Sequence, residues 1–370
     1  MSWTCKQTAS TLAALLFALV LMPAQAEPYL AFKTGNKCSA CHVNPIGGGA
    51  RNTFGSYYGT HVLPASSGDT QGFDAGAVNE YLRIGANLRA NFQRHDRENA
   101  DPTQGFETQS AQVYIHLQPK GSRFSLYVDE QVAPGAALNR EAYVMTKLSG
   151  NHYVKAGKIM LPYGIRLEDD SAFIRQATQI TFDNSDNGVE LGLDFGKALF
   201  NVALSNGTGA STNDDDRFQY ILRGEYIERN WRIGGSALVN ESTAGTRSIW
   251  GLFAGANLYG FTLLAEVDQI VDEVMDESLV NVFGDDTKQL VTLFEVNREL
   301  QKGMNLKITH EMFDPESNTD NNERTRSSIL LEYTPFANFQ LRGGIRTGED
   351  IPQRDEGNFK DLFVQAHLYF

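Results

Sequence analysis

Residues 359–370 read Phe-Lys-Asp-Leu-Phe-Val-Gln-Ala-His-Leu-Tyr-Phe. In an extended chain Leu362, Val364, Ala366, Leu368 and Phe370 fall on one face, and Phe363, Gln365, His367 and Tyr369 fall on the other. One face suits hydrocarbon and the other suits a wet interior, which is the pattern of a strand in a membrane barrel. The same alternation recurs near residue 80. There Leu82, Ile84, Ala86, Leu88 and Ala90 oppose Arg83, Asn87, Arg89 and Asn91.

About sixteen such segments fill the chain from Val78 onward: 78–94, 106–119, 122–132, 139–149, 151–160, 188–195, 198–206, 217–228, 231–240, 246–258, 261–271, 287–298, 303–313, 324–334, 338–347 and 359–370. Each has the length a tilted membrane strand needs. The joints alternate between tight and long. Tight ones fall at Lys120-Gly121, Gly150, Gly196-Lys197, Arg229-Asn230, Tyr259-Gly260, Gln301-Lys302 and Pro335 to Ala337. Longer polar ones span 96–105, 161–187, 206–216, 271–286, 314–323 and 348–357, with two shorter ones between. This rhythm predicts an all-β, transmembrane, up-and-down antiparallel barrel of about 16 strands, with short turns at the periplasmic rim and long loops outside. A soluble sandwich or propeller also has apolar faces, but it explains neither the unequal rims nor a terminal Phe370 of the kind the barrel assembly machinery reads.

The N-terminus reads as a signal peptide over residues 1–26. Lys6 lies in the positive region, Thr11 to Leu21 form the apolar stretch, and Ala24-Gln25-Ala26 offers a cleavage site. Cys5 leaves with it, and losing Lys6 takes the formal charge from −13 to −14. Such an acidic, exported chain is expected to meet outer-membrane lipid and no nucleic acid.

Residues 27–76 differ in texture from the barrel at 77–370. They hold Cys38-Ser-Ala-Cys41-His42, then Gly47-Gly48-Gly49, and end in a linker over Pro64 to Asp74. Cysteines at i and i+3 can each form a thioether to one porphyrin, and the following imidazole then reaches the iron. Cys38 and Cys41 are therefore expected to anchor one haem c, with His42 as axial ligand to the haem iron. A redox dithiol would open a helix in a βαβ unit, and zinc would need a second Cys/His pair; neither pattern is present, although a disulfide competes. About 50 residues bury little core unaided, so this segment should lean on its cofactor and on the barrel.

Pro28-Tyr-Leu-Ala-Phe-Lys-Thr-Gly35, Cys38 to His42, and Phe54-Gly55 resemble the N-terminus of fused monohaem c-type cytochrome–porins of the outer membrane. That family includes outer-membrane Fe(II) oxidases, and the Gly47-Gly48-Gly49 insertion departs from its pattern. The resemblance implies a small cytochrome segment in or at the lumen of the barrel.

Residues 27–77 contain no Met, so a sixth iron ligand within the segment would be His61, the other histidine there. His116 and His367 are further candidates, since both should face the lumen near the periplasmic rim on strands flanking the first. Asn44 and Pro45 suit a turn whose carbonyl receives the other N–H of His42. The longest loop, 161–187, is expected to fold inward and bring Arg166, Glu168, Asp169, Asp170 and Arg175 into a charged constriction. Carboxylates at Asp214 to Asp216, Asp268, Asp272, Glu273, Asp276, Glu277, Asp285, Asp286, Glu349 and Asp350 predict an acidic outer rim that concentrates cations.

Two functions follow. One is an electron conduit between an extracellular redox substrate, such as Fe(II), and a periplasmic electron carrier, in either direction. The other is a transport porin whose haem segment is a plug or sensor. A peroxidase is a weaker fit, because no distal acid/base pair is evident.

Overall fold

The computed structural model describes residues 27–66, 76–167, 169, 171–274, 286–350 and 357–370. The expected signal peptide, linker residues 67–75, and Glu168, Asp170, Asp276, Glu277 and Asp285 lie outside the described residues.

Sixteen strands form one closed antiparallel barrel. They are β1 Leu82–Arg97, β2 Thr103–Leu117, β3 Phe124–Ala133, β4 Leu138–Lys147, β5 Tyr153–Ile159, β6 Asp186–Phe195, β7 Ala198–Ser205 and β8 Gln219–Ile227. The remainder are β9 Trp231–Glu241, β10 Gly245–Leu258, β11 Phe261–Val274, β12 Thr287–Gln301, β13 Met304–Asp314, β14 Arg324–Tyr333, β15 Phe339–Glu349 and β16 Phe359–Tyr369. β1 pairs with β16 in the register Asn87↔Tyr369 and Leu88↔Leu368, so the sheet has no free edge. The expected rhythm of tight and long joints is present. Left-handed backbone at Gly121, Gly196 and Gly260 makes three of the tight turns.

Of the strand boundaries that differ from the expectation, two have a direct physical reason. β1 starts at Leu82 instead of 78, because the Asn79 side chain accepts from the backbone N–H groups of Tyr81 and Leu82 and folds that stretch into a turn. β11 runs on to Val274, since Asp272 pairs with Thr287 on one side and Arg247 on the other.

The faces sort as the alternation requires. Tyr220, Leu222, Ile233, Leu362 and Val364 are exposed on the outer surface, while Asn87, Glu225, Arg232, Gln365 and His367 are buried inward. Phe195, Tyr226, Trp231 and Tyr259 cluster on the outside by the short turns, as in the aromatic belt of a membrane interface.

The lumen is packed from both ends. Helix α1 (Pro28–Thr34) begins with Pro at its first turn and ends at Gly35 in left-handed backbone. Its Tyr29, Leu30 and Phe32 join one apolar cluster with Leu161, Tyr163, Ile165, Leu167 and Ile174 of the long β5–β6 loop. Each such buried side chain contributes about 1.5–3 kcal/mol. Polar ties fix the segment at the short-turn rim. Lys37 meets Asp194 at 2.7 Å, Arg232 donates to the carbonyl of Ala31 at 2.9 Å, and Asn257 donates to that of Lys33 at 2.9 Å. Lys307 meets Glu27 at 3.0 Å, and the backbone of Ala65 donates to Thr334 at 2.8 Å.

A candidate cofactor site inside the barrel

Cys38–Ala40 forms one 3-10 turn, closed by N–H bonds from Cys41 and His42 to the carbonyl of Cys38 at 3.1 and 3.0 Å. The turn brings both thiols and the imidazole into one small region. Asn52 pins it by donating to the carbonyls of Ser39 and Ala40 at 3.1 and 3.0 Å, and its oxygen caps helix α2 (Thr53–Tyr57) through the N–H of Gly55. A β-carbon at Gly55 would lie 2.0 Å from the carbonyl oxygen of Cys41, so only glycine lets α2 pass this close. Gly47, in left-handed backbone, likewise leaves room beside the Cys38 side chain.

Two cavities flank the motif. The first is lined by Cys38, Cys41 and His42, with Met160, Arg166 and Arg232 also in its walls. The second is lined by Cys38 and His42 but not Cys41, together with Pro45, His116, Met145 and Asn201. Both thiols are free, and burial pushes each above its ordinary pKa. Burial, with the positive charges of Arg51 and Arg166, holds His42 down at about 3, against a weaker pull from the backbone of Gly48 and Gly49. The imidazole is therefore neutral, the form that ligates a metal. Two thiols, a neutral imidazole, an apolar helix face and inward guanidinium groups form a donor set that could hold a covalent haem with its carboxylates.

The motif is tied to the barrel wall by Glu141 of β4. Its two oxygens accept from the Asn44 amide at 3.0 Å each, one accepts from the Met160 N–H at 3.0 Å, and Arg166 lies 3.3 Å away. Lys155 donates to Asn44 at 3.3 Å and pairs with Glu190 at 2.8 Å. The Asn44 side chain thus joins a buried wall network, while the backbone groups that act on the His42 ring are those of Gly48 and Gly49, not of the Asn44-Pro45 turn.

The other expected site residues divide. His61 lies on a π-helical turn, Tyr58–Val62, stacked on the exposed Tyr57 with ring centroids 4.6 Å apart and close to the Thr60 hydroxyl; it lines neither cavity. The reason is local: His61 follows Tyr57 by four residues on a continuous helical path, which brings the two rings to the same side. His116 is inward and lines the second cavity. His367 is fully buried, lines neither, and its Nε2 lies 2.8 Å from the Asn87 side-chain oxygen.

The long loop folds inward as expected, but its charges do not ring an open channel. Asp169 is matched by Arg326 and Arg346, and Arg175 lies 3.7 Å from Glu266, while the loop's apolar residues fill the space between. Burial would raise the Asp169 carboxyl, yet Arg346 and Arg326 hold it well below the usual range. The acidic rim is also partly neutralised. Asp268 is a buried strand residue accepting from the Tyr163 hydroxyl at 2.9 Å, Asp272 pairs with Arg247, and Asp350 pairs with Arg324. Among the described residues, no group of three or more His, Cys, Asp or Glu is placed to hold a metal ion by itself.

Sequence reasoning missed Met160, Glu141 and Arg232 as site residues. Arg232 and Glu225 carry an inward parity that was legible, since Trp231, Ile233 and Tyr226 alternate with them on the lipid side.

Comparison with solved structures places the architecture. An anion-selective porin from Comamonas acidovorans superposes with a TM-score of 0.62 over 78% of this chain and 99% of its own, at 11% identity. OprB of Pseudomonas putida gives 0.61 over 85% and 100% at 8% identity. A loop L8 deletion mutant of OmpT from Vibrio cholerae gives 0.59 over 79% and 100% at 12%. The fold is that of an outer-membrane porin. No protein-family profile and no curated protein matches the sequence.

Proposed function

We propose that this protein is an outer-membrane electron conduit with one covalent haem c in its lumen, passing electrons between an extracellular redox partner such as Fe(II) and a periplasmic carrier. The single observation that carries the reading is the placement of Cys38, Cys41 and His42 together on one wall of a cavity inside the barrel. Bound there, haem c supplies a one-electron site within an otherwise insulating membrane. Cys38 and Cys41 would hold it through thioethers, and His42, kept neutral by burial, would ligate the iron. Arg166, Arg223 and Arg232 line the same cavity; Arg223 and Arg232 share the single carboxylate of Glu225, so the positive charge left over suits an anionic group. The partly filled lumen supports a role that needs no open channel: α1 and the long loop pack into one apolar cluster inside it.

Purified protein matured with haem should show a c-type spectrum and be reduced by Fe(II), then reoxidised by a soluble cytochrome. An inert haem, or none, would count against the reading. A transport porin with this segment as plug or sensor is the second reading, favoured by the likeness to porins, one of them anion-selective. Solute flux through the intact chain would support it.

A further inference from the structure

Resting on that reading, we infer that the barrel itself supplies the second axial ligand of the haem iron, through the thioether of Met160. The donor comes from a wall that the haem segment does not own. β5 ends at Ile159, and the next residue, 2% exposed, lines the same cavity as Cys38, Cys41 and His42.

The other donors around this cavity are already engaged. Glu27 pairs with Lys307, Lys37 with Asp194, and Glu225 with both Arg223 and Arg232. The Tyr163 hydroxyl bonds Asp268, and burial raises the Tyr58 phenol, leaving it a neutral and poor ligand. Met160 is the soft donor that remains besides the two cysteines. A neutral thioether ligates iron without bringing a charge into a buried site.

Positioning supports the same assignment. Glu141 accepts the Met160 N–H and the Asn44 amide, so one buried carboxylate sets the Met160 wall against the loop that follows His42. His116 and Met145 are the competing donors. Both line the second cavity, which Cys41 does not reach, and a porphyrin held by both thioethers belongs where both sulfurs are.

The test is absorption and magnetic circular dichroism of the full-length, haem-loaded protein in detergent, with a redox titration. The unsubstituted chain should show the weak long-wavelength sulfur-to-Fe(III) charge-transfer band of Met ligation. Met160→Ala should keep the covalent haem but lose that band, turn high-spin and bind added imidazole. Met160→His should restore a low-spin spectrum at a lower potential, and His116→Ala should leave all of these features in place. If Met160→Ala does not assemble, the Met160→His spectrum decides. The inference is overturned if either Met160 variant keeps the unsubstituted spectrum and potential, or if His116→Ala produces the change instead. A complete lack of a c-type spectrum in the unsubstituted chain would overturn the haem reading beneath it, a distinct outcome.

Discussion

Glu141 accepts the side-chain amide of Asn44 on both of its carboxylate oxygens, each at 3.0 Å, across 97 residues of chain. The bond is buried, and Asn44 stands two positions after His42, so it locks the candidate haem ligand to strand β4. Neither partner lies in the Cys-Ser-Ala-Cys-His motif. The barrel therefore takes part in shaping the site and is more than its container.

Glu141→Ala removes the acceptor of the Asn44 amide and of the Met160 N–H together. A buried charge network broken on one side costs about 3–5 kcal/mol. The expected result is a thermal midpoint lowered by several degrees and a perturbed haem spectrum with the cofactor still attached. Glu141→Gln, which keeps an acceptor, should do less. Equal stability of all three proteins would contradict the role assigned to this carboxylate.

Cys38→Ser and Cys41→Ser should each leave a single thioether, and the double variant none. Intact-protein mass spectrometry after haem maturation reads this directly: one added haem in each single variant, and no addition in the double. The folded barrel should persist in all three, because both thiols are free and make no disulfide. An unaltered haem mass in the double variant would refute attachment at these sulfurs.

How much of this was legible in the chain depends on the range of the interaction concerned. Strand faces follow from nearest-neighbour alternation, so Leu362 outward and His367 inward could be read without coordinates. The spacing of Cys38, Cys41 and His42 is likewise local chemistry. Met160 and Glu141 were not legible, since their meeting with the motif depends on how the N-terminal segment docks inside the barrel. His61 lies close to the motif in sequence, but that distance says nothing of the π-helical turn that stacks its ring on Tyr57. The loop charges misled in a similar way. Apolar residues interleaved with them, Leu161, Ile165, Leu167 and Ile174, dominate the packing, and the charges pair with the wall.

Glu27 makes docking of the N-terminal segment sensitive to acid. Burial alone would raise its carboxyl, but Lys307, Arg342 and Arg89 overcome this and hold it at about 2. Its folded value lies below the ordinary glutamate range, so the stabilisation is complete above that range and is lost as pH falls from it toward about 2. Hydrogen–deuterium exchange of residues 28–37, corrected for the intrinsic rate, should rise across that interval. Glu27→Gln should weaken docking at neutral pH and flatten the dependence. Exchange that stays constant from neutral pH to pH 2 in the unsubstituted protein would argue against this anchor.

The packed lumen sets an expectation for ion flow. In planar bilayers the intact chain should conduct far less than an open porin, because α1 and the long loop meet in one apolar cluster. Phe32→Asp places a charge in that cluster and should loosen the segment, with conductance rising several-fold. High conductance of the unsubstituted protein would favour solute transport.

The measurement closest to the central claim is electron transfer across a sealed vesicle. The haem-loaded protein is placed in liposomes that enclose an oxidised soluble cytochrome c, and Fe(II) held by a membrane-impermeant chelator is added outside. Each Fe(II) oxidised outside should reduce one haem inside, at a rate that collapses in the Cys38→Ser, Cys41→Ser double variant. An enclosed cytochrome that stays oxidised, or is reduced equally fast through the double variant, would contradict the proposed conduit.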